Sequence, residues 1–450
     1  APLNVYWSPD NRPTYGDESL GEIGTSFWRA SEGSIYLLGA EDIDTDEYDT
    51  HVVFHEWTHS FQSRESRSDS LGGAHPAGSI LDPRVAHGEG TATAVAALVY
   101  DDRPYIDTRD PDQQGGFFKD VEGGSASGGW WNEYAVQAVI YDLYDTADEP
   151  GIDTVSLPMA DLWERMVQDE AVTPAFTSVF SLVDAVKDAH PTQAAAIDTI
   201  CAAESITGPT DPYGTGETHD NGLPANLPVH RLLTPNGPTS SLSFAGNQPS
   251  NRLSRNRFVR FTGTGGSLSL HASSDRDVDI RLYRDGDFLS QAYNGCSNPP
   301  CTETVTVSTV AGATYVAVVE GYSSNPSYTA TTWLTPKSGA PATVLGVPGP
   351  GSTSLDVRFD GAGEDVEVRV WCASGLETPG WTGRLPAVYA GVAITLDVPH
   401  TGSGDLAVSV RGTFGGETVD VVQSVTVGHR PLTPVPRLAG RAKGWTATRR

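Results

Sequence analysis

The sequence predicts a multidomain α+β chain: a mostly helical N-terminal domain over residues 1–207, then two all-β sandwich domains at 241–335 and 341–429. Three observations lead there. Apolar residues in the first two hundred positions recur at helical spacing, as with Ala135, Val139 and Leu143 flanked by Val136 and Ile140. Beyond a stretch at 208–240 rich in Pro, Gly, Asn and Thr, read as a linker, the period changes to two. A joint at 336–352, rich in Gly, Pro and Ser, separates two sets of alternating runs. At 450 residues the chain also exceeds what one ordinary core accommodates.

Composition narrows the classes of function. Hydrophobic content is 38% and no apolar run approaches the length of a membrane span. The chain begins at Ala1 without a charged-then-apolar leader, so a processed mature form or a trimmed chain is expected. Cys296 and Cys301, in Gly-Cys-Ser-Asn-Pro-Pro-Cys, suit a small loop-closing disulfide and favour an oxidising compartment and secretion. Cys201 and Cys372 leave two alternatives open, a cross-domain pair or free thiols. The net charge of −28 is uneven: 10 basic against 37 acidic residues up to Thr207, then 19 against 20. A phosphate backbone would be repelled, which argues against nucleic acid as a partner. Steering of cationic peptides, calcium binding and plain solubility remain open for the acidic part.

Taken in order, Leu3–Trp7 and Ser34–Leu38 read as strands, the second placed to line a cleft beside the following helix. The acidic run Glu41–Asp49 lacks the glycine and spacing of an EF-hand. Helix N-terminal charge is preferred there over a Ca²⁺ site. A helix is expected from about Glu47 to Arg64, carrying His55-Glu56-Trp57-Thr58-His59. Residues four apart share a helical face, so His55 and His59 aim two imidazoles at one ion, with Glu56 one position round. This is the H-E-x-x-H pattern of zinc peptidases. Zn²⁺ with two histidines needs a third protein ligand and an open position. Glu89 supplies it, in Gly88-Glu89-Gly90 at the start of a second helix (His87–Tyr100), where the glycines allow close approach to the first. His75 and His87 compete for the role. A third histidine six residues after His59 is excluded, since position 65 is Glu.

Residues 110–129 read as a long exposed loop or lid, and Gly129–Tyr144 as a core helix. Tyr134, at that helix's N-terminal end, is the candidate donor to a developing oxyanion. Further helices are expected near Leu157–Gln168, Pro174–Ala189 and Thr192–Ala203. Strands of the first sandwich include Phe258–Phe261, Val278–Leu282 and Tyr315–Val318. Asp277 and Asp279 are weighed as calcium ligands, with loop capping preferred. The third unit shows runs at Leu355–Phe359, Val366–Val370, Val392–Val398, Leu406–Val410 and Val419–Val427, similar to an immunoglobulin or fibronectin sandwich. A basic tail, 430–450, ends the chain, and docking on the acidic domain is one reading of it.

His55-Glu56-x-x-His59 with Glu89 resembles the gluzincin class of metallopeptidases. The Glu-Gly-x-Ala setting of Glu89 is similar to that in secreted bacterial collagenases and fungalysin-like enzymes. The resemblance covers residues 45–145. It implies a zincin-like catalytic domain and a secreted endopeptidase of protein or peptide substrates, with His55, His59 and Glu89 on Zn²⁺ and Glu56 as general base. The thermolysin pattern has an acidic residue four after the ligand Glu; here that position is Thr93, which leaves Asp142 or Glu133 to orient the histidines. Asn256–Phe258, Asp277–Tyr283 and Gly312–Tyr328 resemble the bacterial pre-peptidase C-terminal domain, a module that accompanies secreted peptidases. Two rival readings are carried forward. One is an adhesin with a structural or inactive zinc site, closed by a fourth ligand such as His75, whose β domains bind matrix, glycan or cell surface. The other is a zinc peptidase restricted to modified, for example glycosylated, substrates.

Overall fold

The computed structural model describes residues 2–125, 128–145, 151–207, 209–324 and 327–336, together with the strands of a C-terminal β unit between 343 and 425. The basic tail and most of the joint at 336–352 lie outside the described residues. Helices account for 27% of the chain and strands for 30%, an α+β architecture in several sheets. The N-terminal unit is not mostly helical. It opens with β1 (Asn4–Trp7), β2 (Phe27–Arg29) and β3 (Ser34–Leu37), in the order β1-β3-β2. Next come α1 (Thr50–Arg64) and α2 (Pro83–Tyr100), and then a hairpin of β4 (Pro104–Arg109) and β5 (Gly115–Asp120). That hairpin replaces much of the expected loop.

α2 starts four residues before His87 because Asp82-Pro83 forms its entrance: the Asp82 carboxylate accepts the Arg84 N–H, and Pro83 fills a first-turn position with no donor to satisfy. α3 (Glu133–Asp142) is capped by the Asn132 side chain, which accepts from the N–H groups of Tyr134 and Ala135, and its apolar face is fully buried. α4 (Met159–Glu164) runs into a π-helical turn, and α5 (Val179–Ala189) and α6 (Ala194–Ala203) close the unit. On the outer flank of α1, Phe61 stacks on Trp163 with ring centroids 3.8 Å apart. Cys201 is a free thiol buried in this core, and burial pushes its pKa up.

The first sandwich pairs two sheets. One holds, in order, β11 (Asp287–Ala292), β10 (Val278–Arg284), β13 (Thr314–Gly321), β8 (Asn256–Thr262) and β6 (His230–Leu232). The other holds β12 (Cys301–Ser308), β9 (Ser267–Ser274), β14 (Tyr328–Pro336) and β7 (Ser240–Phe244). The Cys296–Cys301 disulfide closes the loop between β11 and β12. In β13, Tyr315, Ala317 and Val319 point into the sandwich, whereas Val316 and Val318 face the other way. Those two join Phe258 and Phe176 in the same core as the helices. The sandwich and the N-terminal unit therefore share buried apolar surface.

The junction is also polar and fully buried. Arg84 lies over the rings of Phe176 and Phe258 and makes two parallel hydrogen bonds to Asp82, at 2.9 and 2.8 Å. Asn256 of β8 donates to the same carboxylate at 2.8 Å. Since Asp82 heads the helix that carries Glu89, the sandwich helps to hold that helix in place. Asn256→Ala is expected to cost about 1–3 kcal/mol, the penalty for a buried acceptor deprived of one donor, read as a lowered midpoint in urea unfolding.

In the C-terminal unit the described strands form a three-stranded sheet and a four-stranded one, and they overlap each alternating run read from the sequence. Val398 and the last residues of the run ending at Val427 lie outside the described residues, as does the side chain of Cys372.

Candidate metal centre

α1 places His55 and His59 one turn apart, and α2 brings Glu89 against both. The two Nε2 atoms are 3.1 Å apart, and Glu89 Oε2 lies 3.3 Å from that of His55 and 3.2 Å from that of His59. A tetrahedral ion held at roughly 2.0–2.1 Å by each donor sets neighbouring donors about 3.3–3.4 Å apart. The N₂O set thus fits a single dication, with the imidazole planes crossed at 86°.

The outer nitrogens are occupied by neutral partners. His55 Nδ1 is 3.2 Å from Thr93 Oγ1, and His59 Nδ1 is 3.4 Å from Gln62 Oε1. With Nδ1–H turned outward, each Nε2, once deprotonated, would present its lone pair to an ion seated between the two rings and Glu89. The carboxylates expected in this role are Glu133 and Asp142. Glu133 Oε2 lies 2.9 Å from His75 Nδ1, and Asp142 is not among the residues lining the cleft. Thr93 itself, at the position where the thermolysin pattern has an acid, contacts the His55 ring.

Charges at the site favour a cation. Burial alone would lower the His59 pKa, but the Glu89 carboxylate carries it up to about 9. Burial would raise Glu89, yet His59 and the hydrogen bonds from His55, His59 and His75 hold it well below the usual carboxylate range.

The glycines beside Glu89 serve other neighbours than α1. A Cβ on Gly90 would come within 2.8 Å of the Glu133 carbonyl oxygen, so Gly90 admits α3, and one on Gly88 would press on Ser70. His87 is no rival ligand: it is buried with its Nε2 3.0 Å from Glu170 Oε1. His75 reaches Glu89 Oε2 at 3.3 Å but stands outside the set of His55, His59 and Glu89, whose donor atoms all lie within 4.8 Å of one another. Its loop is pinned from the sandwich, where Asn251 Nδ2 donates to the carbonyls of Gly72 at 3.0 Å and Ala74 at 3.2 Å.

The centre opens into a cleft of about 1120 Å³, lined on one side by β2 and on another by the His75 loop. β2, an edge strand, flanks the cleft; β3, the strand expected there, is the central one. Glu56, 7% exposed, lines the cleft beside His55, His59 and Glu89 but is not one of the three close donors. Tyr134 is not a lining residue; its ring lies 4.7 Å from the Lys119 ammonium. Of the two tyrosines that line the cleft, Tyr15 and Tyr105, the one beside the centre is Tyr105, on β4, edge-on to His55 at 6.0 Å. Burial, then the Glu56 carboxylate, raise its pKa far above the ordinary value, so it stays an O–H donor. The available sequence signal was the β-favouring pair Tyr105-Ile106 with Thr108 in Pro104–Arg109.

No family model and no curated relative matches the chain. Among solved structures, the pre-peptidase C-terminal domain of a Bacillus anthracis collagenase is similar over 24% of this chain and 94% of that one, at 11% identity and TM-score 0.19. A Parabacteroides merdae β-glucuronidase is similar over 39% of this chain and 28% of that one (8% identity, TM-score 0.17). A Ruminococcus gnavus β-glucuronidase is similar over 41% and 39% (12% identity, TM-score 0.15). The chain thus spans less than half of either glucuronidase. At these TM-scores the likenesses decide nothing about activity or substrate. Among the described residues no helix is long and apolar enough to cross a membrane.

Proposed function

We propose that this chain is a secreted zinc-dependent endopeptidase of the gluzincin type. The observation that supports it most is the convergence of His55, His59 and Glu89 at tetrahedral donor spacing, with Glu56 beside them in an open cleft. His55, His59 and Glu89 would hold the Zn²⁺, which would supply Lewis acidity for polarising a carbonyl and for activating water near neutral pH. Glu56 takes up the proton from water and delivers it to the leaving amine. Edge strand β2 offers backbone groups along which an extended peptide aligns. Tyr105 donates to the oxygen on which charge develops. The reading of a closed, inactive site needs a fourth ligand, and His75, its candidate, stands outside the set of three close donors, with Nδ1 2.9 Å from Glu133 Oε2.

The test is a digest of a denatured proteome by the wild type, with and without chelator, and mapping of the new termini. Metal-dependent internal cleavages are expected, and their absence under all conditions sinks the proposal. Tyr105→Phe is expected to lower kcat about 10²-fold with KM nearly unchanged, since the donor acts on developing charge. Tyr134→Phe, outside the cleft, is expected to leave both constants alone. Steady-state kinetics on one fluorogenic peptide compares the two.

A further inference from the structure

A second cluster of ligand atoms lies at the rim of the same cleft. Asp44 and Asp46, on the loop entering α1, and Asp107, on β4, present carboxylate oxygens that all lie within 4.8 Å of one another. Asp46 is only 3% exposed, and its Oδ1, like that of Asp44, is buried and accepts no hydrogen bond. Its other oxygen accepts from the Ser26 hydroxyl at 2.5 Å. The neighbouring Asp49 is already satisfied by Thr108, whose N–H and hydroxyl donate at 2.7 and 2.8 Å, so it adds charge without offering a free oxygen.

We propose that Asp44, Asp46 and Asp107 bind a calcium ion that ties β4 to the loop leading into α1. Three carboxylates brought together out of water are tolerated only with a compensating cation or with protons. Burial pushes Asp46 up to about 9 and Asp107 to about 6, and at Asp44 and Asp107 it outweighs the charge of Arg109. An all-oxygen donor set is hard, unlike the two-imidazole centre next to it. Oxygens drawn from a loop and a strand suit the adaptable coordination of Ca²⁺ better than the strict octahedron of Mg²⁺. The ion would fix the strand that carries Tyr105, but its binding does not depend on the peptidase reading.

The test uses the zinc-loaded full chain, freed of calcium by dialysis in zinc-buffered EGTA and titrated with CaCl₂ in a calorimeter. The wild type is expected to bind one Ca²⁺ more than Asp46→Asn, with a Kd on the order of 10⁻⁵ to 10⁻³ M. Saturating Ca²⁺ is expected to raise the wild-type Tm by about 3–8 °C and that of Asp46→Asn not at all. Counting the difference between the two proteins sets aside any calcium held near Asp277 and Asp279. If Asp46→Asn does not fold, Asp107→Asn serves for the same comparison. His55→Ala is expected to keep the calcium response, which separates this site from the zinc centre. An unchanged wild-type Tm, an equal shift in Asp46→Asn and Asp107→Asn, or an equal shift with Mg²⁺ would overturn the assignment. The first of these results would mean that the carboxyls share protons instead.

Discussion

Glu56→Gln is expected to lower kcat/KM by about 10²–10⁴-fold while leaving folding and metal content unchanged. The substitution keeps the volume and the polar contacts of a nearly buried side chain and removes only its capacity to take up a proton. Because Glu56 lies outside the set of three close donor atoms, no metal ligand is lost. Elemental analysis and circular dichroism should therefore match the wild type, and hydrolysis of a fluorogenic peptide should not. A variant retaining most of its turnover would show that proton transfer is handled elsewhere, and the peptidase mechanism would fall with it. Loss of metal alongside loss of activity would make Glu56 a structural residue and would also exclude its assigned role.

How much of this centre was legible depends on how local each contact is. His55, Glu56 and His59 lie within a single helical turn and a half, so their spacing alone predicts a shared face. Glu89 required only that the next helix return alongside the first. Tyr105 lies on a hairpin whose second strand, Gly115–Asp120, reads as loop. Its turn runs through Asp110, Asp112 and Gln113 at positive φ, a conformation uncommon for residues other than glycine. Without the hairpin, the reading turned to Tyr134, at the N-terminal end of α3. The pairing of His75 with Glu133 joins a glycine-rich loop to a helix almost sixty residues on, and no periodicity encodes it.

The shared core was partly written in the sequence. Phe258-Val259 and Val316-Ala317-Val318 are apolar at successive positions, which a sheet with one wet face does not require. The reading of period-two sandwich strands did not register that these strands are covered on both sides. Asp82-Pro83 likewise announced the start of α2, but the glycines around Glu89 drew the boundary four residues late. Their real constraint is the close approach of α3 and the Ser70 loop, a tertiary fact.

Glu89→Ala is expected to abolish stoichiometric Zn²⁺ binding, and this separates a metal centre from a hydrogen-bonded cluster of the same residues. Glu89 is the only carboxylate among the three close donors, so the variant leaves two neutral imidazoles to hold a dication. The loss should exceed the roughly 10–100-fold drop expected for Thr93→Val, which removes an outer partner of His55 and leaves all three donors in place. Competition with a chromogenic chelator ranks the proteins, expected in the order wild type, Thr93→Val, Glu89→Ala. Were Glu89 present only to pair with protonated histidines, the two variants would bind Zn²⁺ alike, and Glu89→Ala would differ chiefly in thermal stability. The graded order is thus the signature of coordination, since an outer partner tunes a ligand whereas a missing carboxylate removes both a bond and the charge that balances the ion.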